Sequence, residues 1–428
     1  MEIVSKINEI LGIVFMVCYA YQFFFILIPF IVKDKPHKPT VPHRFGVLIS
    51  ARNEEAVIKN LIDSIKNQTY DSNLVTVFVV ADNCTDNTAK ISKDAGAVVY
   101  ERFNTEQVGK GYALEFLYEK IVQDYGDSYF DAYMIFDADN VLDNHYIEEM
   151  NKTLSDGYEV STSYRNSKNY GDNWISAGYG LWFLRESKYL NYARRLLNTS
   201  CAVSGTGFMF SSAVIREAGG WKFFLLTEDI EFTIYNVLKG RKIGYCKDAH
   251  LYDEQPTSFI QSWHQRMRWA KGYIQVWAKY GLGLLKNIFS PKFTSCYDMT
   301  MTILPALVIS VAMVLNTTIG VLCGLILQLD VIPVLLSFVQ GIGASYVTLF
   351  IIGAITVITE WKHIHCKAIK KIFYTFTFPI FMLTYVPITM VAIVKKVEWK
   401  PVRHTRARTL DDIKQDKKEE KEVETPVA

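Results

Sequence analysis

The chain has 428 residues, of which 50% are hydrophobic and 21% are charged. So high an apolar fraction beside so many charges predicts a soluble domain joined to membrane-spanning segments, and it excludes disorder over most of the chain. Basic and acidic residues nearly balance, at 46 Lys and Arg against 44 Asp and Glu, so the overall charge does not indicate a nucleic-acid partner. Seven cysteines without a C-x-x-C pair argue against a disulfide framework and favour a reducing compartment.

The first membrane segment is predicted at residues 10–32, which carry no charge and are long enough to cross the hydrocarbon core of a bilayer. Lys33, Lys35, Lys38 and Arg44 follow directly. Because cytosolic flanks are enriched in Lys and Arg, this cluster places the following domain in the cytosol. We therefore expect a multi-pass protein of the plasma membrane whose soluble domain is cytosolic.

Residues 44–290 mix charges and glycines with short apolar runs and form the predicted soluble domain. Strand-like runs at 45–50, 75–81, 98–100 and 133–136 alternate with helix-like spacing at 56–65, 88–94 and 112–122. This alternation predicts an α/β domain with a mostly parallel sheet and helices on both faces. Ligands of such sheets bind beyond the carboxyl ends of the strands, where Asp82 and Asp137 lie.

Asp82 and Lys110 each allow two interpretations. Asp82 can accept hydrogen bonds from a nucleotide, or it can belong to a turn that caps the next helix. Lys110 lies between two glycines, which would let the backbone approach a ligand and the ammonium meet a diphosphate; a plain surface turn is the alternative.

Asp137 and Asp139 form a D-x-D pair directly after a predicted buried strand. In an extended chain both carboxylates point the same way, and paired oxygen ligands suit Mg²⁺ or Mn²⁺ that carries substrate phosphates. A solvated turn that caps the next helix is the structural alternative.

Thr227-Glu228-Asp229 opens a predicted helix. A threonine cap followed by acidic residues in the first turn explains the pattern structurally. In the functional interpretation Asp229 is a general base that deprotonates an attacking hydroxyl.

Gln265, Arg268 and Trp269 share one face of a predicted helix. They combine an amide, a donor to phosphate and an indole that can stack on a sugar ring. Taken alone, a basic amphipathic helix on anionic lipid explains them better. The D-x-D and T-E-D motifs in the same chain favour a binding site instead.

A membrane block is predicted at residues 291–394, which contain uncharged runs at 299–329, 331–359 and 372–394. A full crossing by the last run would place the basic residues of 395–408 outside the cell, against the positive-inside rule. Pro379 and Pro387 lie inside that run, so we expect a re-entrant or interfacial hairpin that leaves the tail in the cytosol. The segment 395–428 is predicted to be basic next to the membrane and then a disordered charged tail.

These motifs, in this order ahead of membrane helices, resemble the processive family-2 glycosyltransferases, which include cellulose, hyaluronan and poly-N-acetylglucosamine synthases. Residues 50–55 resemble the first nucleotide-contacting loop of that family. The resemblance implies a GT-A fold, which has a Rossmann-like sheet, a UDP-sugar donor and inversion at the anomeric carbon. The resemblance implies uridine contact for Glu54 and Asp82 and binding of the nucleotide phosphates for Lys110, Gln265 and Arg268. It implies that Asp139 chiefly binds the metal, with Asp137 beside it as a second metal residue that also contacts the nucleotide sugar. It further implies that Asp229 is the general base and that Trp269 and Glu228 bind the acceptor.

Three functions follow from the resemblance and the membrane segments. The leading hypothesis is a membrane synthase that elongates a β-linked polysaccharide and exports it through its own helices. The alternative is a single transfer to a lipid acceptor held at the membrane surface. A non-enzymatic transporter is disfavoured because the apolar runs contain no charge. The tail departs from the gating segment of the family: residues 399–405 share with its W-x-x-T-x-R-like pattern only the tryptophan and some basic and threonine character.

Overall fold

A twisted sheet forms the centre of the protein; the computed structural model describes residues 1–398 and 404–415. The strands of the described chain are β1 Phe45–Ala51, β2 Val75–Asp82, β3 Val98–Arg102, β4 Ala132–Asp137, β5 Val141–Leu142, β6 Val160–Ser167, β7 Phe208–Ser211 and β8 Ile243–Asp253. Their spatial order is β3-β2-β1-β4-β7-β6-β8-β5. The pairs β1–β2, β1–β4, β2–β3 and β6–β8 are parallel, whereas β7 pairs antiparallel with β4 and β6, and β5 with β8. The α/β prediction is confirmed.

Helices cover both faces of this sheet. Those of the sheet domain, residues 44–290, are α2 Ile58–Lys66, α3 Thr88–Asp94, α4 Lys110–Tyr125, α5 Tyr146–Ser155, α6 Trp174–Arg185, α7 Tyr192–Leu196, α8 Ser212–Glu217, α9 Glu228–Lys239 and α10 Phe259–Asn287, and a π-helical stretch Glu186–Asn191 joins α6 to α7. Alternate residues of β1 enter different apolar cores: Val47 and Ile49 pack with α2, whereas Leu48 belongs to the core that includes α4. Burial on both faces explains why β1 reads as a continuous apolar run.

The remaining helices contain the predicted membrane segments. They are α1 Glu2–Ile31 at the N-terminus and α11 Phe293–Ile303, α12 Pro305–Ile326, α13 Ile332–Thr359, α14 Ala368–Leu383 and α15 Tyr385–Val394. Within the described residues, four segments are long and apolar enough to cross a membrane: Glu2–Ile31, Val308–Ile326, Ile332–Thr359 and Ala368–Val394. The first starts at Glu2, before the predicted residue 10, and Asn8 in its first turns is buried and donates to Thr317 of α12 at 2.9 Å.

The run 368–394 is interrupted at Thr384, between α14 and α15. Arg266 of α10 donates to the Phe381 carbonyl at 3.0 Å and to the Thr384 hydroxyl at 2.7 Å, so the interruption has polar partners supplied by the protein. Both ends of the run contact the sheet domain: Lys370 Nζ donates to the Gly171 carbonyl at 2.6 Å, and α15 packs along α10.

The C-terminal segment differs from the disordered tail that the sequence predicts after residue 408. Residues 410–415 are helical, and Ile413 is buried. The Thr409 amide and hydroxyl both donate to Asp412, which orders the start of this turn, and Arg408 donates to the Lys168 carbonyl at 2.8 Å. The prediction missed this contact because it pairs residues far apart in the chain. Residues 399–403, which include most of the gating-like stretch, and residues 416–428 lie outside the described part.

Candidate active site

One cavity of about 760 Å³ lies beyond the carboxyl ends of the parallel strands. The residues predicted for the site all line it: Glu54, Asp82, Lys110, Asp137, Asp139, Glu228, Asp229, Gln265, Arg268 and Trp269. The sheet explains part of this convergence, because β2, β1 and β4 run parallel in register and end at the same edge. Their functional roles stay predictions.

The side of the cavity that is predicted to bind the nucleotide is built from the loops after β1 and β2. Each loop turns at an asparagine with positive φ, Asn53 at 57° and Asn83 at 52°. Asp82 is buried and accepts from Arg102 Nη1 at 2.6 Å, so it forms an internal ion pair as well as lining the cavity. Asparagine tolerates this left-handed conformation better than most residues, which lets both loops turn sharply at the strand ends.

Glu54 meets the C-terminal segment. Its two carboxylate oxygens both lie 3.0 Å from His404 Nδ1. Burial alone would lower the pKa of His404, but the carboxylates of Asp139 and Glu54 raise it to about 10. His404 is therefore a cation at neutral pH, and its charge holds the tail against the site. Sequence analysis missed it because nothing in the local pattern links residue 404 to residue 54.

Lys110 connects the two acidic motifs. Its Nζ donates to Asp137 Oδ1 at 2.5 Å and to the Gly205 carbonyl at 2.7 Å, and it lies 3.8 Å from Glu228 Oε1. Burial by itself would lower the pKa of Lys110, but these carboxylates outweigh it and keep the pKa above its ordinary value. The ammonium therefore stays charged in the cavity. Because the Lys110 side chain is largely buried and holds partners from two other segments, Lys110 does not belong to a plain surface turn.

Asp137 and Asp139 have different surroundings. Asp139 is buried, and its Oδ2 accepts from the Glu254 amide at 2.7 Å. Burial would raise its pKa, but His404, Lys168 and this amide together lower it, so the carboxylate stays ionised. Asp137 is partly exposed, and its backbone amide donates to Thr206 Oγ1 at 2.9 Å.

This pair fits a metal that arrives with a substrate. The described residues contain no cluster of three or more His, Cys, Asp or Glu side chains arranged to hold an ion. Mg²⁺ is commonly bound by one or two carboxylates together with substrate phosphates and water. Two aspartate side chains that line one cavity suit that mode, and Asp139 and Asp137 would hold the ion.

Glu228 and Asp229 begin α9. Thr227 holds the N-cap position but makes no side-chain cap hydrogen bond, and its buried hydroxyl has no partner among the described residues, so the predicted threonine cap is wrong. The acidic residues do lie in the first turn of the helix, as predicted. Burial raises the pKa of Glu228 to about 7, with Lys110 opposing and Asp229 adding to the effect. Burial also raises the pKa of Asp229, against the backbone amide of Ile230 and Lys110. A carboxylate of this kind suits proton abstraction.

Helix α10 presents Gln265, Arg268 and Trp269 to the cavity. Arg268 Nη1 donates to the Leu226 carbonyl at 2.9 Å, next to the loop that leads into α9. The Trp269 ring meets Tyr179 of α6 edge-on, with centroids 5.7 Å apart. This face of α10 is therefore part of the site wall and not a free lipid-binding surface.

A further charged residue of the site, Arg165 of β6, carries no sequence signal. Its Nε donates to Asp253 Oδ2 at 2.7 Å and its Nη1 to the Ser204 carbonyl at 2.8 Å. It thereby holds the loop before Gly205. This glycine lies beside the proposed base, because a Cβ added to it would be 3.9 Å from Asp229 Oδ2. A lone arginine in a polar strand offers no motif to recognise.

Sequence comparison identifies a family over this region. The profile of the family described as "Glycosyltransferase like family 2" matches residues 42–272. A probable glycosyltransferase of Sulfolobus acidocaldarius is 25% identical over 313 residues, which cover 70% of this chain and 64% of that protein. A beta-monoglucosyldiacylglycerol synthase of Synechocystis is 26% identical over 248 residues, covering 56% and 50%. The chain thus spans between half and two thirds of the length of these relatives.

Structure comparison shows the same fold in a solved enzyme. A mannosyltransferase of Pyrobaculum calidifontis, solved in complex with GDP-Man and Mn²⁺, superposes with a TM-score of 0.55 at 15% sequence identity. The match covers 90% of this chain and 99% of that one. The fold, including helices beyond the sheet, is therefore shared.

Proposed function

Because this chain belongs to the glycosyltransferase-like family 2, we propose that it transfers one sugar, with inversion, from a UDP-sugar to a hydroxyl of a lipid acceptor at the membrane surface. The family and the shared fold support a nucleotide-sugar donor. The acceptor is inferred from the shape and lining of the cavity.

The observation that carries the proposal is the extent of the cavity. From the carboxylates it continues between the membrane helices, where Phe15, Met16 and Phe23 of α1 and Leu349 and Ile352 of α13 line it. Met16 and Phe23 are nonetheless 58% and 43% exposed, so this end opens sideways between helices. An apolar, laterally open wall suits hydrocarbon chains.

The polysaccharide hypothesis is supported by a different part of the lining. Trp182, Trp269, Tyr273 and Tyr385 line the cavity, and aromatic rings of this kind stack on sugars. A sugar unit at the acceptor end of a glycolipid uses the same surface, however. The name of the Synechocystis relative also refers to a glucosylated diacylglycerol. We therefore favour the lipid acceptor.

In the proposed reaction the acceptor oxygen forms a bond to the anomeric carbon as the bond from that carbon to the diphosphate breaks. Asp229 takes the proton of the acceptor hydroxyl, and the sugar configuration inverts because attack comes from the opposite side. Arg268 and Lys110 compensate the negative charge that develops on the diphosphate. A divalent ion on Asp139 and Asp137 would supply further positive charge there.

The test is to size the product. Purified protein in lipid vesicles is incubated with radiolabelled UDP-glucose, UDP-N-acetylglucosamine or GDP-mannose, with the Asp229→Asn variant as the matched control. We expect label in one lipid that extracts into organic solvent and carries one added sugar. A long water-soluble polymer would overturn the lipid acceptor, and transfer from GDP-mannose alone would overturn the UDP-sugar donor. The absence of transfer from any of the three donors would overturn the proposal as a whole.

A further inference from the structure

Arg185, the last residue of α6, lies on the wall of the cavity and is 9% exposed. Its Nη2 donates to Gln22 Oε1 on α1 at 2.7 Å, and its guanidinium carbon lies 5.2 Å from the centre of the Trp182 ring. It therefore lies where the sheet domain contacts α1, the first candidate membrane span.

Among the described residues, no carboxylate lies within salt-bridge distance of Arg185. Other arginines on the cavity wall do have such partners: Arg165 pairs with Asp253, and Arg194 pairs with Asp298 through Nε at 2.6 Å. Glu186, the next residue along the chain, accepts from the Ser204 hydroxyl instead. Arg185 is thus a buried cation with a neutral hydrogen-bond partner.

A buried charge that forms no ion pair is costly, and the charge of Glu186 offsets only part of that cost at Arg185. Burial lowers the pKa of Arg185 to about 10, so the side chain still carries its proton at neutral pH. A guanidinium has five N–H donors arranged in a fork that matches phosphate, and the bond to Gln22 uses one of them. The site therefore has both charge and donors for an anion that enters the cavity.

Arg185 lies on the membrane side of the proposed base. Glu186 is close enough to Asp229 for the two charges to affect each other. On the other side, Arg185 contacts α1, and Thr302 at the end of α11 lines the same cavity. A lipid lying in the apolar end would hold its headgroup at this level.

We propose that Arg185 binds a phosphate group on the acceptor lipid while a hydroxyl of the same headgroup reaches Asp229. The enzyme then selects a phosphate-bearing lipid over a neutral one. This inference rests on the proposed lipid acceptor and adds the headgroup class. Inorganic phosphate has the same chemistry, so the test separates the two sources.

The experiment compares the wild type with Arg185→Gln, with the charge-retaining Arg185→Lys and with Arg216→Gln, which removes an exposed arginine far from the cavity. The acceptors are phosphatidylglycerol and diacylglycerol in phosphatidylcholine vesicles. We expect Arg185→Gln to raise the KM for phosphatidylglycerol about 10- to 100-fold, with the KM values for diacylglycerol and the donor unchanged. Arg185→Lys should recover part of the loss, and Arg216→Gln should match the wild type.

Two results would overturn the inference. An equal loss on both lipids means that Arg185 only supports the fold. Competition by inorganic phosphate that Arg185→Gln abolishes, without any change in lipid preference, means that the site takes the free ion.

A readout independent of turnover separates this inference from the proposed function. Native mass spectrometry counts the phosphatidylglycerol molecules retained by the solubilised wild type and by Arg185→Gln. Retention that Arg185→Gln abolishes supports the inference even if no lipid is glycosylated, in which case only the proposed function fails. If lipids are glycosylated but the wild type and Arg185→Gln retain phosphatidylglycerol equally, the proposed function stands and this inference fails.

Discussion

Burial sets the acidity of the proposed base. Asp229 and its neighbour Glu228 both have raised pKa values because they are withdrawn from water, although Lys110 and Arg268 oppose the shift. A base with a pKa nearer the working pH takes a proton more effectively from a hydroxyl than a fully exposed aspartate does. The local environment thus supports the role that the T-E-D motif predicts.

Replacing Asp229 by Asn should lower kcat by about 10²- to 10⁴-fold, because the amide cannot accept the proton. Donor affinity should change little, since the side chain keeps its size. Steady-state kinetics and calorimetric titration with UDP measure the two effects. A variant with wild-type kcat would remove Asp229 from the mechanism.

The pH dependence should report the Glu228–Asp229 pair. Asp229 acts in its ionised form, so kcat/KM should fall as the pH drops through its raised pKa. Glu228→Gln removes a neighbouring negative charge, which favours ionisation of Asp229 and should shift the acid limb to lower pH. Profiles of kcat/KM from about pH 5 to pH 9 test this. An acid limb that stays in place or moves upward would contradict the assignment.

Asp139 should control metal-dependent donor binding. Asp139→Ala removes the buried carboxylate that stays ionised in this cavity, so affinity for UDP in the presence of Mn²⁺ should fall about 10-fold or more. Without metal the two proteins should bind UDP alike. Asp127→Ala, at an exposed loop residue, is the matched control. Equal Mn²⁺-dependent affinity in wild type and Asp139→Ala would exclude the role.

At the scale of elements, the start of α4 depends on a close backbone contact. A Cβ at Gly111 would lie 2.2 Å from the carbonyl oxygen of Phe223, so only glycine fits. From the sequence, this glycine is interpreted as leaving space for a ligand. In the structure the space is taken by the protein itself, and the contact sets the position of Lys110 at the beginning of the helix.

Gly111→Ala should therefore destabilise the protein by about 1–3 kcal/mol, because α4 or the Phe223 loop must move. The displacement of Lys110 should also raise the KM for the donor. Thermal unfolding in detergent and donor kinetics measure both. Gly343→Ala in α13 is the control, since a Cβ there meets nothing within 4 Å. If both variants unfold at the same temperature as the wild type, the close contact between Gly111 and Phe223 does not determine the stability of the protein.

At the interruption between α14 and α15, helix α10 supplies hydrogen-bond donors to the backbone and side chain of the break. Arg266 is fully buried and reaches the Phe381 carbonyl and the Thr384 hydroxyl at the break. Its guanidinium carbon also lies 4.3 Å from the Phe381 ring centre. In Gln265-x-x-Arg268-Trp269, the residues that face the cavity flank this arginine, so one helix serves the site and the membrane block together.

At the scale of the whole molecule, the sheet domain contacts the start of the run 368–394 and the segment that follows its end. Lys370 contacts Gly171, and beyond the other end of the run the amides of Thr405 and Arg406 donate to Glu254. The segment Ala368–Val394 is itself long and apolar enough to cross a membrane, so the re-entrant topology stays a prediction. The positive-inside rule favours a cytosolic tail, because basic residues follow residue 394.

Cysteine labelling can test this topology. In intact cells a membrane-impermeant maleimide should label Asp330→Cys, in the loop between α12 and α13, from outside. Lys396→Cys, beyond α15, and Lys93→Cys, in α3, should react only after permeabilisation. The unmodified chain measures the background from its own cysteines. Labelling of Lys396→Cys in intact cells would mean that the run 368–394 crosses the membrane.

Local pattern was sufficient for the elements that repeat a simple period. The buried strands β1, β2 and β4, the helices between them and the apolar segments all follow from the spacing of hydrophobic residues. Strands β5 to β8 escaped prediction because they are short or rich in polar residues, as in Val160–Ser167, and their burial comes from partners far along the chain.

The sequence by itself determined the class of domain, the membrane segments and the set of acidic and basic residues to consider, since periodicity and short motifs are properties of neighbouring residues. Only the tertiary structure decided that Lys110 bridges Asp137 and approaches Glu228, that His404 reaches Glu54 and that Arg185 hydrogen-bonds to Gln22 and forms no salt bridge with any described residue. Each of these facts depends on distances between residues that are remote in sequence, and folding alone sets those distances.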